Sequence, residues 1–320
     1  MNLKRLVVIT ALLLVLGGRI CAAQEITVAA AADLQFVMQE ITARFQKETG
    51  MTAKVISGSS GNFFQQIQNG APFDMFFSAN LDYPKKLENA GLTEPGTFYQ
   101  YATGKIVIWV PNDSKLDVSS GLKSLLNPSV KKIAIANPQH APYGQAAVAA
   151  MKSENIYDKV ADKLVLGENI SQTASFVVSG SADVGIVALS LAISPNMKNK
   201  GRYAEIPSSE YPAIEQACVI LKSSQHKAAA KTFLDFIKTP VVADLFRAYG
   251  FSVPSGSTRF GATIPLRCKA GSNCIGVNIS RGAGAAIVGV PGAVVGAVVG
   301  ALLSRGKRKT LLYERPAGAR

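Results

Sequence analysis

Apolar residues between positions 24 and 255 follow two patterns that alternate along the chain. Short runs rich in β-branched and aromatic residues predict strands, and longer stretches with an apolar residue every three or four positions predict helices. The predicted strands are 26–31, 53–57, 75–78, 106–111, 132–137, 183–188 and 219–221, and the predicted helices are 34–49, 62–69, 145–154, 171–179 and 225–238. This alternation, without an internal repeat, predicts an α/β fold with largely parallel sheets.

The first 23 residues have a different pattern. Lys4 and Arg5 precede an almost wholly apolar run, and small residues end at Ala23. A basic start, an apolar stretch and small residues at the cut are typical of a secretory signal peptide, so we expect residues 1–23 to be removed and the protein to be exported. A lipid anchor on Cys21 and an uncleaved anchor are the alternatives, and Arg19 disfavours the first of them.

The formal charge of +13 lies at the two ends of the chain. The body, residues 24–255, has nearly equal numbers of acidic and basic residues, so it lacks the basic surface that a nucleic-acid-binding protein needs. The tail, residues 256–320, is basic and rich in glycine, and its stretch 282–303 carries no charge. We expect a membrane helix at 282–303, followed by basic residues on the cytoplasmic side. A glycine-rich packing segment and a tail without fixed structure are the alternatives.

The cysteines fit an exported protein. Cys268 and Cys274 flank a short loop and could form a disulfide in an oxidising compartment. Cys218 lies in an apolar run and is expected to be a buried free thiol. The two histidines, His140 and His226, are far apart in sequence, and no spacing of residues resembles a metal site.

Four junctions between a strand and a helix share one composition. Each is rich in small or capping residues and contains neither Lys nor Arg; they are 29–33, 57–61, 141–144 and 168–170. A helix N-terminus presents unpaired N–H groups and the positive end of the helix dipole, which suits an anion. If several of these ends converge, they form an anion site built without a cation. Ordinary helix capping explains any single junction equally well.

The body resembles the molybdate-binding proteins of ABC importers over about residues 25–251. The matching segments, in order, are Ala30–Leu34, Gly58–Asn62, Gly70–Ala79, Asn137–Gly144, Asp183–Val187 and Tyr249–Phe251. Gly-Ala-Pro-Phe-Asp at 70–74 and Ala-Pro-Tyr-Gly at 141–144 are the most specific of them. The tail, residues 256–320, lies outside the resemblance.

The resemblance implies a type II periplasmic binding fold, in which two α/β lobes close over a tetrahedral oxyanion. Lobe one would comprise about residues 25–104 and 211–255, and lobe two about residues 105–210. The implied ligand is molybdate or tungstate, held by Asp33, Ser60, and the backbone N–H groups of Tyr143 and Ile170, without a cofactor or a directly bound metal cation. The implied partner is the membrane permease, and the body is expected to be a monomer in the periplasm that performs no chemistry.

Two positions depart from the pattern of the family. Asp33 stands where many relatives have Ser, and Ala188 stands where some relatives have a Tyr that contributes its hydroxyl. An ionised carboxylate is negatively charged and only accepts hydrogen bonds, so it would repel a dianion. We therefore expect Asp33 to cap the helix at Leu34 and to offer only its N–H. The alternative is that its carboxylate faces an oxyanion that still carries a proton, such as hydrogen phosphate.

Other function classes remain open from the sequence. The same fold could bind sulfate, phosphate or an amino acid, although no Arg lies at the junctions to hold a carboxylate. A hydrolase would need Ser59 or Ser60 beside a base such as His140, but the Gly-Ser-Ser-Gly run at 58–61 differs from the Gly-x-Ser-x-Gly motif. A third hypothesis is that the protein is an anion sensor and that residues 256–320 tether it to a membrane.

Overall fold

The computed structural model describes residues 25–254 and two short strands further along the chain, Gly276–Asn278 and Ala286–Val288. The chain divides into two units, Met1–Thr258 and Arg259–Arg320. The expected signal peptide at residues 1–23 and the proposed Cys268–Cys274 pair lie outside the described residues and stay predictions.

Lobe one of the larger unit is built on a five-stranded sheet. Its strands are β1 (Glu25–Ala31), β2 (Thr52–Gly58), β3 (Met75–Ser78), β4 (Tyr99–Gly104) and β10 (Ile214–Ile220), and they lie in the order β2-β1-β3-β10-β4. The helices that pack on this sheet or on one another are α1 (Gln35–Thr49), α2 (Ser60–Gln68), α3 (Asp82–Asn89), α8 (Lys227–Ile237) and α9 (Pro240–Ala248).

Lobe two is built on a second five-stranded sheet. Its strands are β5 (Ile106–Pro111), β6 (Ile133–Ala136), β7 (Leu164–Gly167), β8 (Val184–Ala188) and β9 (Gly201–Glu205), in the order β7-β6-β8-β5-β9. Its α-helices are α4 (Pro142–Ser153), α5 (Tyr157–Val160), α6 (Ile170–Val178) and α7 (Leu189–Ala192). The chain passes between the two sheets twice, from Gly104 to Ile106 and from Glu205 to Ile214.

Both sheets are mixed, so the expectation of mainly parallel sheets was wrong in part. In lobe one, β1 pairs parallel with β2 and β3, whereas β10 runs antiparallel to β3 and β4. Lobe two repeats this arrangement, with β6 parallel to β7 and β8, and β5 antiparallel to β8 and β9. The antiparallel strands adjoin the two passages between lobes, where the chain enters a sheet without a helical crossover.

Each lobe has an apolar core that fixes its helices on its sheet. Helix α1 turns Val37, Met38, Ile41 and Phe45 inward at helical spacing, and it ends at Gly50, whose φ of +75° is the left-handed conformation that glycine adopts at helix ends. Phe45 also packs its ring edge-on against a buried phenylalanine of α8. These contacts place the ends of β1 and β2, from which the functional site is built.

The smaller unit contributes two described strands, β11 (Gly276–Asn278) and β12 (Ala286–Val288), which pair antiparallel. Strand β12 falls inside the stretch 282–303 that was expected to be one helix, so that expectation was wrong for these three residues. The rest of 282–303 lies outside the described residues. Among the helices that the structure describes, none is both long enough and apolar enough to cross a membrane.

Candidate functional site

A small cavity of about 10 Å³ lies between residues of both lobes. It opens at the ends of β1 and β2 and at the first turns of α2, α4 and α6. All four residues predicted from the sequence, Asp33, Ser60, Tyr143 and Ile170, line it. The other lining residues are Ala31, Ala32, Gly58, Ser59, Ala79, Ala141, Pro142 and Asn169. The structure therefore brings the predicted site residues together.

The N-terminus of α2 presents Ser60 to the cavity. The next amide, that of Gly61, donates to the His140 carbonyl at 2.9 Å, whereas the Ser60 amide lies at the first helical position and has no acceptor within the helix. The Ser60 hydroxyl accepts from the Ala79 amide at 2.9 Å. Within residues 25–254 it donates to no acceptor, so both its N–H and its O–H can reach a ligand.

The N-terminus of α4 presents the backbone of Tyr143. Pro142 is the first helical residue and has no N–H, so the Tyr143 amide is the first donor of this helix. The amide that follows, at Gly144, donates to the Ala141 carbonyl at 2.9 Å. No acceptor of this first turn takes the Tyr143 amide, so it can reach a ligand.

The N-terminus of α6 presents Ile170 in the same way. The side chain of Asn169 caps this helix, and its Oδ1 accepts from the Ser171 and Gln172 amides at 3.0 Å each. The Thr173 amide donates to the Asn169 carbonyl at 3.1 Å. The Ile170 amide is the one donor of this first turn that the cap does not use.

These three helix ends give the cavity the donors that a small anion requires. They supply N–H and O–H donors and the positive ends of three helix dipoles, and no Lys, Arg or His is among the residues lining the cavity. A metal cation would need a cluster of carboxylates, thiolates or imidazoles, and the part of the chain that the structure describes contains no such group. The chemistry of the lining therefore favours an anion that needs donors only.

The carboxylate of Asp33 does not cap a helix, so the capping expectation was wrong. Asp33 lies in a 3₁₀ turn between β1 and α1, and neither helix start has a side-chain cap. Its Oδ2 accepts hydrogen bonds from the Tyr143 hydroxyl at 2.9 Å and from Gln216 Nε2 at 2.7 Å. Its Oδ1 is buried and has no hydrogen-bond partner. Burial raises the pKa of Asp33 to about 6, against the interactions with Gln216, Tyr143 and its own backbone N–H, which lower it.

The side chain of Tyr143 does not share the role of its backbone N–H and lies in the core. It is 2% exposed, and its hydroxyl lies between Asp33 of lobe one and Gln216 of β10. Gly104 makes room for it, because a Cβ at that position would lie 2.1 Å from the hydroxyl oxygen. Gln216 in turn accepts from the Tyr101 hydroxyl at 2.8 Å. A buried hydrogen-bond network thus joins the lobes behind the cavity.

A second set of contacts joins the lobes beside the cavity. Ser59 Oγ donates to the His140 carbonyl at 2.6 Å and lies 2.9 Å from His140 Nδ1. Gly61 is required here, since a Cβ would lie 2.6 Å from that carbonyl oxygen. Asn62 hydrogen-bonds Glu168, and Ser190 Oγ donates to the Asp33 carbonyl at 2.8 Å. The lobes are therefore in contact around the cavity.

Ala188, the second departure from the family pattern, is fully buried at the end of β8 and is not among the residues lining the cavity. Sequence reasoning missed Gln216, Tyr101 and Ser190, which hold Asp33 and Tyr143 in place. A signal for Gln216 was present, because it is a polar residue in an otherwise apolar run that forms a buried strand. Cys218, two positions further, is a buried free thiol, as predicted.

Comparisons with known proteins point to one group. The profile of the family described as "Bacterial extracellular solute-binding protein" matches residues 26–252. The molybdate-binding protein ModA of Rhodobacter capsulatus is 40% identical over 76% of this chain and 94% of its own length, and that of Azotobacter vinelandii is 37% identical over 73% and 92%. The solved structure of the Azotobacter vinelandii periplasmic molybdate-binding protein matches with a TM-score of 0.69 and 35% identity, covering 72% of this chain and all of that one.

The raised pKa of Asp33 predicts a pH-dependent stability. The folded protein holds the Asp33 proton up to about pH 6, whereas the unfolded chain releases it near the ordinary value of 3.8. The folded state therefore binds more protons between these values, and its stability falls as pH rises through this window, by about 3 kcal/mol at most. We expect Asp33→Asn to remove this loss, so that its free energy of unfolding rises relative to wild type from about pH 4 to pH 6.

Urea unfolding of the full chain without ligand measures this difference. Asp235→Asn, at an exposed position of α8, is the matched control and should follow the wild-type pH profile. Parallel profiles for Asp33→Asn and wild type would contradict the account.

Proposed function

This chain belongs to the bacterial extracellular solute-binding proteins, and from that membership we propose that it captures molybdate or tungstate outside the cytoplasm. It then delivers the oxyanion to the permease of an ABC importer. The observation that carries the proposal is the convergence of the Ser60, Tyr143 and Ile170 donors on one small cavity without a cation. Both oxyanions are fully deprotonated at neutral pH and therefore need donors only. The molybdate-binding relatives of Rhodobacter and Azotobacter support the choice of ligand.

Closure of the lobes completes the site in this proposal. Ser60 belongs to lobe one, and Tyr143 and Ile170 belong to lobe two, so the donors surround an anion only when the lobes are together. The Ser59–His140 and Gly61–His140 contacts stabilise that arrangement. Exclusion of water from the closed cavity strengthens each N–H···O contact, because charges interact more strongly at low dielectric.

We propose that the protein binds its ligand without chemical change. Ser59 lies beside His140, as a hydrolase would require, but its hydroxyl donates to the His140 carbonyl at 2.6 Å, and the distance to the ring nitrogen is longer, at 2.9 Å. A general base must accept the proton of the nucleophile, so a hydroxyl that donates to a carbonyl is unsuited to be a serine nucleophile. The contact serves to join the lobes.

Anion titration of the purified full chain tests the proposed ligand. Isothermal calorimetry should show one site per chain that binds molybdate and tungstate more tightly than sulfate or phosphate. Tight binding of phosphate without any response to molybdate would overturn the assignment and would favour the hydrogen-phosphate alternative, in which Asp33 accepts the proton of the anion.

Ser60→Ala tests the contribution of a single donor. A hydrogen bond to a charged group contributes about 1.5–3 kcal/mol, so the variant should bind molybdate roughly ten- to a hundredfold more weakly. Ser153→Ala, at the exposed end of α4, removes a hydroxyl that donates to the Ala150 carbonyl away from the cavity and should retain the wild-type affinity. Equal affinities for Ser60→Ala and Ser153→Ala would show that the Ser60 hydroxyl does not contact the ligand.

A further inference from the structure

Asp33 is the only acidic residue among the described residues that line the cavity, and one of its two carboxylate oxygens has no hydrogen-bond partner. The residue is 1% exposed, and its Oδ2 already accepts two hydrogen bonds, from Tyr143 and Gln216. Its Oδ1 is buried with no hydrogen-bond partner among the described residues. A buried carboxylate oxygen without a donor is costly, because desolvation of a charged group is not compensated.

Among the described residues, no positively charged group acts on Asp33 to hold it ionised beside an anion. Tyr143 of α4 and Tyr101 of β4 are the titratable groups that face it, and burial raises the pKa of both phenols well above their usual range. Gln216 of β10 is neutral. Ser190 of α7 is also neutral, and its hydroxyl donates to the Asp33 carbonyl. An ionised Asp33 would therefore meet a bound dianion with unscreened repulsion.

A neutral carboxylic acid removes this conflict. Protonated on Oδ1, the side chain becomes a donor while Oδ2 continues to accept from Tyr143 and Gln216. The added O–H gives Asp33, which is a residue of the cavity lining, a hydroxyl donor. Its Oδ1, which has no partner among the described residues, would then have one in the complex.

We propose that Asp33 enters the oxyanion complex as the neutral acid, so that one proton is bound with each dianion and the affinity falls as pH rises. The proton comes from solvent, and no covalent bond to the ligand forms or breaks. This inference rests on the proposed function, since it requires that the cavity holds an oxyanion dianion. It makes Asp33 a residue that sets both the pH dependence and the charge preference of the site.

The expected size of the effect follows from linkage. The pKa of Asp33 is about 6 in the unliganded protein, so most molecules have lost this proton at pH 7.5 and must regain it on binding. The dissociation constant for molybdate should then rise close to tenfold for each pH unit above about 6, until the pKa of the complex is reached.

Calorimetry of the full chain with molybdate measures the proton directly. Titrations at about pH 7.5 in two buffers with different ionisation enthalpies give the number of protons taken up per anion bound. We expect close to one for wild type and close to zero for Asp33→Asn, whose affinity should also vary little between about pH 6 and pH 8. Asp235→Asn, exposed on α8, is the matched control and should take up the proton as wild type does.

The outcomes separate this inference from the function on which it rests. Molybdate binding by wild type without proton uptake, or equal uptake by Asp33→Asn, overturns the inference and leaves the proposed function standing. Absence of molybdate binding by wild type at every pH overturns both. In a difference infrared spectrum, a carboxylic acid band that appears on binding and is missing in Asp33→Asn supports the inference, and uptake of a proton without this band assigns it to the anion and overturns the inference.

Discussion

Backbone amides at the first turns of three helices are the interaction on which the site depends. Each helix uses a local acceptor for its neighbouring N–H groups and leaves one N–H, on a residue that lines the cavity, without an acceptor in the helix. His140 accepts from Gly61, Ala141 from Gly144, and the Asn169 side chain caps α6. The remaining donors at Ser60, Tyr143 and Ile170 come from different lobes, so neither lobe alone can surround an anion. A site of this kind depends on how accurately the two sheets place three helix ends.

The hydrogen-bond network behind the cavity explains how that placement is maintained. Tyr143 of α4 contacts Asp33, which follows β1, and Gln216 of β10, which returns from the passage between lobes. Gly104, at the other passage, leaves the space that the Tyr143 hydroxyl occupies. The position of α4 is thereby coupled to both connections between the lobes. The same network buries Asp33, which raises its pKa and makes the charge of the site dependent on pH.

The sequence predicted the parts of this account that depend on local pattern. Strands β3 and β5 begin and end at the predicted residues, and the four predicted site residues line one cavity. Within residues 25–254, the strands that it missed, β4, β7 and β9, are all at the edge of a sheet. An edge strand has one neighbour and more solvent contact, so its apolar pattern is weaker. The antiparallel pairings were missed because they join segments that are far apart in sequence.

The role of Asp33 could not be predicted for a related reason. An aspartate before a helix is most often a cap. Here its partners are Tyr143 and Gln216, which lie more than a hundred positions away, and only the packed lobes bring them to it. The buried position of the Tyr143 side chain likewise depends on Asp33 and Gln216, which are far from it in sequence. Long-range contacts determine the positions of both side chains.

The most direct test of the central claim is the position of the ligand in a crystal of the full chain grown with tungstate, located by the anomalous scattering of the metal. We expect one strong peak inside the cavity. The tungstate oxygens should lie within hydrogen-bond distance of the Ser60 hydroxyl and of the Tyr143 and Ile170 amides. A peak elsewhere, or contacts with one lobe only, would contradict it.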